Sequence, residues 1–239
     1  MTNNLSGKAA VITGATSGIG LATAREFSGQ GMDLVLTGRR QEQLDEICDE
    51  LNATGVAGDI TDPDLPSGLL ETAVNMYGRC DVVLNNAGVM EVNSIEETDI
   101  EKVCQMARIN VEAVYRIAYT FIRHFKEVNS GHLVNISSIL GSKTRPNAGA
   151  YAGTKYAIEA LSESLRMELA GTSVGVSCIQ PGLVMTQLHR NWSMHPTESL
   201  GISEPLQPED IARSIIFVLT QPPHVRIPSL MVLPGEQPM

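Results

Sequence analysis

Short apolar runs alternate with stretches of helical periodicity along the whole chain. Runs at 9–13 (AAVIT), in MDLVLTG ending at Gly38, and at 56–60, 81–84, 133–137, 176–180 and 227–233 carry few polar positions. Strands hydrophobic on both sides belong to a parallel sheet covered on both faces. Between them lie amphipathic segments. LATAREFSGQG follows the first strand, and RRQEQLDEICDEL places Leu44, Ile47 and Leu51 on one face. Further helices are expected at 65–77, over a long stretch at 98–126, in a segment opening near Tyr151, and at 208–219, where Glu209 and Asp210 suit the positive end of the helix dipole. The alternation predicts α/β architecture: a single Rossmann-type domain over residues 1–239, with a doubly wound, mainly parallel sheet of seven strands and helices on both faces.

Periodicity fails between 187 and 207 (QLHRNWSMHPTESLGISEPLQ). A loop of that length in a compact domain is commonly a lid or a binding loop. Hydrophobic residues make up 43% of the 239, enough for a packed core, and the net charge of −10 argues against a nucleic-acid partner. The start, MTNNLSGKAAVITG, has no long apolar segment after a basic one, and no run approaches the roughly 20 residues that span a bilayer. Cys48, Cys80, Cys104 and Cys178 form no CxxC pair, which fits reduced thiols in a cytoplasm better than disulfides or zinc, and no metal site is expected.

Candidate chemistry gathers where strands end. After 9–13 comes TGATSGIG and then a helix, so Gly14, Thr16, Ser17, Gly18, Ile19 and Gly20 form a strand-to-helix turn suited to a pyrophosphate on free N–H groups. The second strand ends in Gly38, Arg39 and Arg40. An acidic residue there would grip a ribose 2′-hydroxyl; arginine instead accommodates a 2′-phosphate, which predicts NADP(H) over NAD(H). The strand at 81–84 runs into Asn85, Asn86, Ala87 and Gly88. Tyr151 and Lys155 stand four apart, on one helix face. A lysine about 4 Å from a phenol would lower the phenol's pKa by much of what a neutral-pH base needs, about 4 kcal/mol. Both Ser137 and Ser138 could face them, and Asn110 is a polar residue inside the long helix.

The TGxxxGxG spacing of Gly14, Gly18 and Gly20, together with NNAG, YxxxK and PGLVMT, resembles the classical short-chain dehydrogenases/reductases, and the likeness spans nearly the whole chain. The resemblance implies a tetrad of Asn110, Ser138, Tyr151 and Lys155; Ser138 is preferred to Ser137 because it stands thirteen residues before the tyrosine. It implies adenine contacts from Asp59 and Ile60, cofactor contacts from Asn86, Ala87 and Gly88, and nicotinamide contacts from Pro181, Gly182, Val184 and Thr186. It also implies a homotetramer or homodimer packed through the long helix and the one after Tyr151. The substrate would be a small carbonyl or alcohol bounded by Met90, Leu140, Arg145, Leu183, Leu188 and Trp192, with Arg145, His189 or Arg190 available to a carboxylate. IPSLMVLPGEQ replaces the glycine-rich ending of many members and resembles the branch acting on serine, 3-hydroxy acids and small aldehydes. A silent NADP(H)-binding sensor or regulatory subunit, and an epimerase or dehydratase of the extended branch, remain as alternatives.

Overall fold

The computed structural model describes residues 4–189 and 196–237. Seven strands form one parallel sheet: β1 (Ala9–Thr13), β2 (Asp33–Gly38), β3 (Thr54–Ala57), β4 (Val82–Asn85), β5 (Gly131–Ile136), β6 (Val174–Pro181) and β7 (Ser229–Val232), in the order β3-β2-β1-β4-β5-β6-β7. The helices are α1 (Gly18–Gly29), α2 (Gln41–Leu51), α3 (Leu65–Tyr77), α4 (Ile100–Ala107), α5 (Val114–Glu127), α6 (Gly149–Glu168), α7 (Pro196–Leu200) and α8 (Pro208–Leu219). No helix among the described residues is long and apolar enough to cross a membrane.

Alternation along each strand splits the core into two layers. Ala10, Ile12, Leu34, Leu36, Leu84 and Val134 pack with Phe27 of α1, Leu44 of α2 and Ile211 and Ile215 of α8. Val11, Val35, Val83, Leu133 and Val176 turn the other way, onto Leu69 of α3, Phe121 and Phe125 of α5 and Leu165 of α6. Strand order reverses between β1 and β4, and the crevice at the carboxyl ends of those strands is where such sheets place ligands.

Two expected elements differ from the sequence reading. The third strand stops at Ala57, two residues after Gly55 and well short of 60; Gly58 makes the last bond to Gly38, and Asp59 then accepts hydrogen bonds from Thr61, turning the chain out of the sheet. The long helix expected at 98–126 is three pieces: α4, one turn of π-helix at Arg108–Ala113, and α5. A π turn inserts one extra residue and rotates the helix face around it, a shift that hydrophobic periodicity does not reveal. The aperiodic stretch carries a 3-10 turn at Gln187–His189 and α7; its two stems pair through Val184 and Leu206.

Candidate active site

Thr13, the last residue of β1, stitches the crevice together. Its hydroxyl accepts the backbone N–H groups of Asn86 and Ala87, both at 3.0 Å, and donates to the Leu84 carbonyl at 3.3 Å. The Asn86 amide returns to the carbonyls of Thr13 (2.9 Å) and Gly14 (3.2 Å). The loop after β4 therefore lies directly on the turn after β1, and only glycine fits between them. Gly14 has φ +64°, and a Cβ there would stand 3.0 Å from the Ala87 Cα; a Cβ on Gly20 would stand 2.4 Å from the Gly14 carbonyl oxygen.

Above this turn opens a cleft of about 670 Å³, within the range of small-molecule and cofactor sites. One end is lined by Gly14, Thr16, Ser17, Gly18 and Ile19, by Arg39 and Arg40 after β2, and by Asp59 and Ile60 after β3. Ser17 occupies the N-cap of α1 without a capping side-chain bond, so the positive end of that helix meets the cleft uncapped. Arg39 and Arg40 are exposed, and the carboxylate of Asp59, held below its usual range by Thr61 and by Arg39, faces the same end. Uncapped N–H donors, glycines with no room for a Cβ and two guanidinium groups form a donor set for a phosphate-bearing dinucleotide.

The other end is lined by Asn86, Ala87, Gly88 and Met90, by Ser137 and Ser138 after β5, by Tyr151 and Lys155 of α6, and by Pro181, Gly182, Val184, Thr186 and Leu188. The Ser138 hydroxyl accepts the Leu140 N–H at 3.1 Å and hydrogen-bonds Tyr151. Lys155 donates to the Ile136 carbonyl at 2.9 Å. Asn110 lies behind the wall, 1% exposed, in the π turn. Its amide takes the Val89 N–H at 2.9 Å, donates to the Val89 carbonyl at 2.8 Å, and reaches the Thr154 hydroxyl at 3.3 Å. Thr154 in turn donates to the Tyr151 carbonyl at 2.7 Å. Asn110 thus ties the loop after β4 to the helix that carries Tyr151 and Lys155.

The electrostatics of the pair differ from the sequence expectation. Burial pushes the Tyr151 phenol up to about 12, and the Ser138 hydrogen bond offsets only part of this. Burial also brings Lys155 down to about 8, against the opposing influence of Cys178 and Glu159. The Lys155 ammonium is 5.8 Å from the tyrosine ring centre and points to a backbone carbonyl. Removal from water outweighs a charge at that distance, so in this state the phenol is held neutral instead of being made acidic.

The remaining candidates are dispersed. Gly20 lies under the turn, off the cleft wall. Leu140 and Leu183 are buried, and Arg145 is exposed; none of the three lines the cleft, whereas Met90 and Leu188 do. Arg190 and Trp192 lie outside the described residues. Thr13, Thr154 and Glu91 escaped the sequence reading. Thr13 carried one signal, a hydroxyl closing an apolar strand; Thr154 and the cleft-lining Glu91 carried none.

The model of the short chain dehydrogenase family matches residues 8–197. An uncharacterized oxidoreductase of Staphylococcus saprophyticus is 33% identical over 243 residues, covering 98% of this chain and 99% of its own. A closed-form structure of serine dehydrogenase complexed with NADP+ superposes with a TM-score of 0.90 at 30% identity, over 97% of this chain and 96% of that one. The 3-ketoacyl-(acyl-carrier-protein) reductase of Brucella melitensis complexed with NADH superposes with a TM-score of 0.88 at 28% identity, over 97% and 99%.

Proposed function

This chain belongs to the short-chain dehydrogenase family of oxidoreductases, and on that premise we propose that it transfers a hydride between NADP(H) and a small carbonyl or alcohol. The observation that carries the reading is convergence: Ser138, Tyr151 and Lys155 share the wall of a cleft whose other end holds the α1 turn, Arg39 and Arg40. When bound, the nicotinamide supplies or accepts the hydride. The side chains handle the proton and the position of the oxygen. Ser138 orients the substrate oxygen by hydrogen bonding, and Tyr151 donates the proton that oxygen needs on reduction. Burial keeps the Tyr151 phenol protonated in this state, the form that gives a proton when a carbonyl is reduced. Lys155, at about 8, can carry charge near neutrality beside the phenol, and Asn110 and Thr154 fix the helix that presents both.

Arg39 is assigned to the 2′-phosphate, with Arg40 contributing less, since it also reaches toward the Thr16 hydroxyl at 3.5 Å. The two superposed structures hold NADP+ and NADH respectively, so the arginines after β2 carry this preference. Half-exposed Tyr119 on α5 and Tyr156 on α6 support association of subunits through those helices as a homotetramer or homodimer. The chain is placed in a reducing cytoplasm, where thiols such as the buried Cys48, Cys80 and Cys178 stay reduced.

The deciding experiment is a panel of small aldehydes and ketones, followed by NADPH absorbance in the unaltered protein and in Tyr151→Phe. Turnover is expected in the former, and in the latter its loss with NADPH binding retained. Equal turnover in both would sink the mechanism.

A further inference from the structure

Residues 233–237 follow β7 and fold back on the segment that leaves β6. The Gln237 side-chain carbonyl accepts the Leu183 N–H at 2.8 Å, while the Gly182 N–H bonds the Val232 carbonyl at 2.8 Å. Contact at Gly182 is close enough that a Cβ there would stand 2.2 Å from the Gln237 side-chain oxygen. The Gln237 N–H is itself fixed to the Pro234 carbonyl at 3.0 Å, which sets the direction of its side chain.

Glu236 reaches the other stem. Its carboxylate accepts the Ser203 N–H (2.5 Å), the Ser203 hydroxyl (2.8 and 2.9 Å) and the Glu204 N–H (3.4 Å). The stems also bond each other: Leu206 N–H to the Leu183 carbonyl at 3.0 Å, and Met185 N–H to the Leu206 carbonyl at 2.8 Å. Two adjacent side chains therefore hold residues 183 and 203–204 from one side, through acceptors aimed at backbone donors. Gly182, Val184 and Thr186, between and beside these anchors, line the cleft.

We propose that Glu236 and Gln237 are positioning residues that set the 182–186 wall of the cleft, and through it the fit of the nicotinamide end of the dinucleotide. The proposal rests on the dinucleotide reading given above. Neither residue touches the cleft, so their influence runs through Leu183 and Ser203. It weighs on the nicotinamide end, because neither Glu236 nor Gln237 bonds Arg39 or the α1 turn, and only Thr186, at the far end of the wall, lies against Gly18.

The test uses the full chain with Gln237→Ala, Glu236→Ala and the conservative Glu236→Asp. Amide exchange of Leu183 in the first and of Ser203 in the second is expected to quicken about tenfold, as local opening becomes easier. NADPH should bind about tenfold more weakly to both alanine variants. Adenosine 2′,5′-bisphosphate, which carries only the adenosine end, should bind within about twofold of the unaltered protein, and Glu236→Asp should recover most NADPH affinity. Equal losses for the two ligands, or unchanged exchange at Leu183 and Ser203, would overturn the positioning role alone. Failure of both ligands to bind the unaltered protein would overturn the dinucleotide reading and this proposal with it.

Discussion

The two edges of the same sheet are built on opposite rules. At the amino edge, the Asp81 carboxylate accepts the Ala9 N–H at 2.9 Å and both arms of the Arg79 fork at 2.6 Å. The Asp81 backbone bonds Ala9 on one side and His132 on the other, so one residue joins β1, β4 and β5. The His132 ring bonds the Ser177 hydroxyl at 2.9 Å; because that hydroxyl donates to the Ile227 carbonyl at 2.6 Å, the imidazole Nε2 is the donor. At the carboxyl edge, polar groups are left over. Among the described residues the buried Ser137 and Thr37 hydroxyls have no partner, and α1 begins without a side-chain cap. Helices that follow parallel strands start at this edge and bring their positive ends to it. Paired groups at one edge hold the sheet; at the other, polar groups without partners among the described residues line the cleft.

Four substitutions or conditions probe that contrast. Tyr151→Phe removes only a hydroxyl at the carboxyl edge, and kcat should fall about a thousandfold, with stability changed by less than about 1 kcal/mol; comparable thermal melts beside the assay check both. Asp81→Ala at the amino edge should do the reverse, leaving the Ala9 N–H without its acceptor and lowering unfolding free energy by about 2 kcal/mol in urea titration while kcat/KM per folded molecule is unchanged. A catalytic loss there without destabilisation would break the division between edges.

Acid should act first at the amino edge. Burial holds His132 down at about 4, from 6.5, so between those values the unfolded chain binds the extra proton and stability rises with pH. The contribution is nearly complete at pH 7, falls by about 2 kcal/mol by pH 5, and is lost as the pH passes through 4. Urea titrations at pH 7 and 5 should show this drop, and His132→Asn should flatten it. The smallest expected effect sharpens the carboxyl edge: Arg39→Ala should raise KM for NADPH about tenfold and leave KM for NADH nearly unchanged, as loss of one charged hydrogen-bonding partner predicts.

Much of this was legible from residues alone. β1, α3 and α8 occupy 9–13, 65–77 and 208–219 as the hydrophobic pattern predicts, because each is bounded by a local signal: glycine, proline or a run of charge. The glycine turn was legible for the same reason, since its spacing reflects a turn closed within a few residues. The tyrosine's electrostatics were not. Spacing placed Lys155 one helical turn from Tyr151, but only the packed structure shows the ammonium drawn 2.9 Å from the Ile136 carbonyl and the phenol stripped of water.

Periodicity and turn chemistry by themselves determined the α/β class, the strand count and the sheet edge at which chemistry would gather, because each depends on near neighbours in the chain. Tertiary structure decided what depends on residues far apart: Thr13 fastening the loop after β4, the π turn that aims Asn110 at Val89 and Thr154, and Gln237 reaching back to Leu183. Desolvation belongs with these, since the water a side chain loses is set by everything packed around it and by nothing in its local sequence.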